Sequence, residues 1–144
     1  MSAQFDLDFG DASHGGIFFV TSDDLDPLAD GAGMQGLCVC RIDLADYTDR
    51  AALFDRLAVA LRLPADFGRN WDALADSVRD LSWLKAPGVI LLFDHADDMQ
   101  QADEDDFDTL LDILEEAVDY WQEAGSPFFV FFALPESAFD DTDD

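Results

Sequence analysis

Apolar positions along this chain keep two different rhythms. Residues 17–21 (IFFVT), 37–44 (LCVCRIDL), 88–93 (GVILLF) and 128–134 (FFVFFAL) are short, β-rich runs. The last two are apolar almost throughout, the pattern of strands buried on both faces of a parallel sheet. The intervening segments follow helical spacing instead. Leu53, Phe54, Leu57 and Leu61 recur at that spacing, with Thr48 or Asp49 as a start signal and Pro64 as a stop. Asn70 can cap a second helix on which Trp71, Leu74, Val78 and Leu81 share one side. A long helix over about residues 103–124 carries a core stripe of Phe107, Leu110, Leu111, Leu114, Val118 and Trp121. Gly125 and Pro127 end it.

Two stretches carry weaker patterns. Residues 22–36 read as a polar, glycine-containing connection, in which Pro27 limits a helix near residues 24–30 to a first turn. Residues 94–98 read as a loop beyond the carboxyl end of a strand, with His95 on its surface. The alternation of strands and helices predicts an α/β fold, a small three- to four-stranded parallel sheet with helices packed on it and right-handed crossovers. Residues 36–135 are expected to form this domain. Residues 1–35 form an extension able to add an edge strand at 17–21 through a short crossover. Residues 136–144 form an acidic tail, disordered from Phe139 onward.

Charge changes the picture more than length does. Among 144 residues, 33 acids face 7 bases, for a net charge of -26, and Lys85 is the last base in the chain. Apolar residues still make up 49%, with 13 Phe, so the chain can bury a core rather than stay disordered. Such a field repels nucleic acid and anionic membranes and speeds encounter with basic proteins. It equally serves solubility or adaptation to salt. A monomer is expected when free, with neither nucleic acid nor membrane as partner. Residues 1–16 lack the basic start and hydrophobic run of a secretory signal, and no apolar run is long enough to span a bilayer. The expected location is the cytoplasm.

Candidate chemistry is sparse. Cys38 and Cys40, the only cysteines, share one face of a strand and read as buried reduced thiols, short of the further ligands a zinc site needs. Asp94, His95, Asp97 and Asp98 follow one strand, and Asp43 and Asp46 another, where open parallel sheets bind ligands. The spacing of Asp43 and Asp46 is wrong for a magnesium phosphohydrolase, and there is no Gly-rich phosphate loop. No enzyme activity, metal or cofactor is expected. Trp71, Trp83 and Trp121 read as core.

The acids that stand out are on helices. Asp72, Asp76 and Asp80 lie opposite the apolar side of the helix capped by Asn70, each four residues from the next. Like charges at that spacing destabilise a helix by about 0.2–0.5 kcal/mol per pair. Arg69 and Arg79 sit near enough to offset part of this. Asp105, Asp108, Asp112, Glu115, Glu116 and Asp119 cover the polar sides of the long helix with no basic neighbour. That surface is a second candidate for acidic recognition or phosphate mimicry, with no nuclease partner.

The segment LPADFGRNWDALADSVRDL resembles the inhibitory segment of the barstar family, intracellular inhibitors of a secreted ribonuclease. Leu63, Pro64, Gly68, Asn70, Asp72, Ala73, Leu74 and Asp76 carry the match. The order of elements over about residues 37–134 is similar as well. The resemblance implies a barstar-like fold and a basic partner, a ribonuclease or toxin nuclease, whose active site this helix would plug. Asp76 would take the place of a substrate phosphate and Asp72 would pair with an arginine. Asp66, Phe67, Gly68, Asn70 and Asp80 would lie at the same contact, together with an acid on the long helix at Glu116 or near Tyr120. The chain departs from the family at two anchors. Asp66 and Phe67 replace an aromatic pair, and Ala75 replaces a tryptophan, and aromatic anchors commonly carry much of an interface's energy.

Overall fold

The four β-rich runs form four parallel strands in the computed structural model, which describes residues 9–81 and 84–135. They are β1 (Gly16–Val20), β2 (Cys38–Asp43), β3 (Val89–Asp94) and β4 (Phe128–Ala133). Their order across the sheet is β1-β4-β3-β2. The expected parallel α/β architecture is therefore present. The helices are α1 (Leu25–Met34), α2 (Arg50–Ala60), α3 (Trp71–Asp80), α4 (Ala96–Ala102) and α5 (Glu104–Ala124). Trp83 and the tail from residue 136 lie outside the described residues.

Period-2 side-chain alternation sends each strand's residues to opposite faces. On one face Cys40, Ile42, Leu91, Phe93, Val130 and Phe132 join the buried faces of α2, α3, α4 and α5. On the other, Ile90, Leu92, Phe129 and Phe131 meet Leu25, Leu28 and Ala32 of α1, together with Phe9. The two central strands β3 and β4 are thus covered on both sides, which explains their unbroken apolar sequences. Edge strand β2 alternates between buried and open positions instead.

Two expectations are corrected here. Helix α1 runs for ten residues rather than one turn. Pro27 occupies its first turn, where a missing N–H leaves no bond unmade, and burial of Leu25, Leu28 and Ala32 outweighs the glycines. The link from β1 to β2 is also no short crossover. These strands lie at opposite edges, so α1 traverses the whole second face. Travel from β2 through β3 to β4 runs the other way on the first face. Opposite directions on opposite faces give all connections one hand, as the right-handed rule requires.

Candidate functional site

Helix α3 is fixed at both ends and along its buried side. Asn70 is extended, and its side-chain oxygen accepts the Ala73 N–H at 2.8 Å. Its amide donates to the Gly68 carbonyl at 3.1 Å, which fastens the preceding loop to the same cap. A methyl at Gly68 would come 3.2 Å from the Asn70 side chain and 3.3 Å from the Ala73 Cβ, so glycine keeps this turn tight. Leu74 and Val78 are buried against the core, and Leu81 ends the helix in the left-handed conformation. The Trp121 indole of α5 donates to the Val78 carbonyl at 2.8 Å. That bond satisfies one of the carbonyls a helix leaves free in its last turn. Asn70→Ala is expected to lower stability by about 1 kcal/mol, read as a shift in urea midpoint with unchanged slope.

The opposite side presents Asp72, Asp76 and Asp80, all exposed. Arg79 donates to Asp76 at 2.7 Å, across an i,i+3 spacing. Arg69 turns elsewhere and pairs with Asp55 of α2. Only one of the two nearby arginines therefore offsets the acidic stripe. In the loop, Asp66 is exposed, whereas Phe67 is half-buried with its ring edge-on to Phe54 at 6.1 Å. Trp71 is half-buried rather than core. Its ring meets Phe54 at 5.1 Å, and the Arg50 guanidinium lies 5.8 Å from the ring centroid. The aromatic trio thus braces the loop from below, while the acids face outward.

Glu116 sits on a different helix, exposed on α5 one turn before exposed Tyr120, so both alignments of the family's acid fall on one stripe. Helix α3 packs directly on α5 through Trp121 and Val78.

A buried acid that sequence reasoning overlooked ties this region together. Asp106 is only 6% exposed. It accepts from the Tyr47 hydroxyl at 3.1 Å and from Arg50 Nε at 3.2 Å. Burial, followed by this carboxylate, pushes the Tyr47 hydroxyl well above its ordinary pKa, keeping it a donor. The signal was present: Asp106, Leu110 and Leu114 fall four residues apart on one stripe. A groove of about 530 Å³ opens beside the cluster, lined by Arg50, Phe54, Asn70, Trp71, Asp103 and Asp106 among others.

The acids at the carboxyl end of the sheet are committed to structure. Arg41 bonds Asp94 at 2.8 Å and Asp26 at 2.7 Å. Asp98 accepts the Asp46 N–H at 2.8 Å. The expected loop at residues 94–98 is instead the start of α4, with His95 left-handed at its cap position and Asp97 and Asp98 in its first turn. Ala96 and Met99 are its only buried residues, too few to mark a helical period in the sequence. Among the described residues, no three His, Cys, Asp or Glu side chains are grouped to hold a metal.

His95 Nδ1 lies 2.9 Å from Asp43 Oδ1. That bond raises the His95 pKa, while the Ala45 N–H, ahead of His95, lowers that of Asp43. The histidine contribution is present in full below its ordinary value near 6.5 and fades as pH rises through its raised folded value. The aspartate contribution is present above its ordinary range and fades as pH falls through its lowered one. His95→Asn, which tolerates the left-handed backbone, should therefore lower Tm more at pH 5.5 than at pH 8. Thermal melts at the two pH values check this.

No helix among the described residues is long and apolar enough to cross a membrane. No curated protein matches the chain. The family model described as barstar (barnase inhibitor) matches residues 37–133, from the start of β2 to the end of β4. That span includes α3, its cap and the helix that docks it, and the chain belongs to the barstar family.

Proposed function

We propose that this protein inhibits a basic ribonuclease or related nuclease toxin by closing the enzyme's active site with α3. Asp76 stands in for a substrate phosphate, and Asp72 pairs with an arginine of the enzyme. A carboxylate on a rigid helix can replace phosphate in a cleft lined by arginine and lysine. One observation carries the reading. Asp72 and Asp76, the two carboxylates the resemblance singles out, are exposed on a helix that is capped by Asn70 and docked by Trp121. The position is held before any partner arrives, so little ordering opposes binding.

Asp66, Phe67, Gly68 and Asn70 form the rim of the contact, with Asp80 at its far end and Glu116 on the neighbouring helix. The net charge of -26 steers a basic enzyme toward this face. Free cysteines suit a reducing compartment, where an inhibitor would protect the cell that makes the nuclease. Ala75 and Asp66 leave the interface with less aromatic area, which shifts its energy toward charge pairs and makes binding steeply salt-dependent.

Barnase, named in the family's description, is the first probe. Titration of the chain into an RNA-cleavage assay should remove activity at one equivalent. A chain in tenfold excess that leaves barnase and other secreted basic ribonucleases fully active would overturn the reading.

A further inference from the structure

The two cysteines lie on the same side of β2, at an open edge of the sheet, with Sγ atoms 4.0 Å apart. Both are free, Cys40 buried and Cys38 half-buried. A disulfide would need sulfurs about 2.05 Å apart, so the pair is not poised to oxidise in place. Two metal–sulfur bonds of about 2.3 Å span about 3.8 Å at the tetrahedral angle and about 4.6 Å in line. A two-coordinate ion holds its bonds nearly in line, so the sulfurs need to part by about 0.6 Å at most, within reach of side-chain movement.

We propose that Cys38 and Cys40 form a two-coordinate site for copper(I). The ligand count selects the metal. Zinc requires four ligands, and no third His, Cys, Asp or Glu groups with the pair among the described residues. Copper(I) is soft and is selected by thiolate sulfur. Two thiolates around a monovalent ion form a complex of charge -1, and Arg62 acts electrostatically on Cys40 with the sign that favours its thiolate. Arg62 follows α2 in a left-handed conformation and is exposed.

Access comes from the strand edge. The ion meets half-buried Cys38 first and then takes buried Cys40 as its second ligand, among apolar side chains. Loading breaks two S–H bonds, forms two copper–sulfur bonds and releases two protons to solvent, with no change of oxidation state. Burial, and then Cys38, push the Cys40 thiol up to about 12.

The test uses the full reduced chain under anaerobic conditions, with copper(I) supplied as its complex with a chromogenic chelator. One equivalent should transfer to the protein, with a new near-ultraviolet thiolate-to-copper absorption. C38S and C40S should each abolish the transfer, and R62Q should weaken it about tenfold. Circular dichroism checks that the variants fold. If C40S does not, C38S alone decides, because its side chain is only half-buried. No transfer to the wild-type chain would overturn the site. So would transfer undiminished in C38S, or zinc(II) bound as tightly as copper(I).

Discussion

Asp76→Lys is expected to abolish ribonuclease binding while leaving the fold intact. In the proposed complex Asp76 is buried among cations, and removing one partner of such a pair costs about 3–5 kcal/mol, or about 10²–10⁴-fold in Kd. Reversal adds repulsion to that loss. In the free protein the same side chain is 77% exposed and, among the described residues, pairs with Arg79. An exposed pair of that kind is worth about 0–1 kcal/mol. A lysine at this position also relieves the repulsion from Asp72 and Asp80, so the melting temperature should barely move. Isothermal titration against barnase, with a parallel thermal melt, reads both halves. Unchanged affinity would sink the plug. If neutralising Asp72 and Asp76 together had no effect while D108N, D112N and E116Q weakened binding, the long helix would be the recognition surface instead.

Arg79 gives the same surface a measurable preference. Its guanidinium already pairs with the carboxylate that the proposed complex would bury. In that complex an incoming cation would exchange one ion pair for another rather than meet a bare charge.

Removing residues 1–36 is expected to prevent folding of the remainder, although the matched family segment begins at residue 37. The cut takes away β1, α1 and Phe9 together. Ile90, Leu92, Phe129 and Phe131 are fully buried beneath them. Exposing four such side chains forfeits about 6–12 kcal/mol at about 1.5–3 kcal/mol each. A domain's entire stability is about 5–15 kcal/mol. The truncated chain should aggregate, bind a hydrophobic dye and show no cooperative melt. Leu28→Ala in the full chain tests the same idea more gently, with an expected loss of about 2–5 kcal/mol. A soluble truncated protein melting at the full-length temperature would show that the second face needs no cover.

The parts of this fold written in short-range patterns were legible. Helix α3 announced itself through Asn70 and through strict spacing of Leu74, Val78 and Leu81, and all of these hold their expected places. Strands β3 and β4 were legible because both faces are buried. Helix α1 was not, because Pro27, Gly31 and Gly33 speak against a helix locally, and only the distant faces of β3 and β4 override them. Strand order was hidden for a related reason: β1 pairs with β4 across more than a hundred residues. At the site, charge could be counted but pairing could not. Arg69 and Arg79 looked equivalent in sequence, yet the left-handed turn at Arg69 sends one toward α2, while helical spacing sets the other beside Asp76.

The second face of the sheet has a practical bearing on how this protein can be handled. Helix α1 and helix α3 lie on opposite sides of β3 and β4. Met34, at the end of α1, is 87% exposed. A tether, fluorophore or fused domain attached there projects away from Asp72 and Asp76. Immobilising the protein through α1 would leave the acidic helix pointing into solution, where a nuclease could be captured without obstruction.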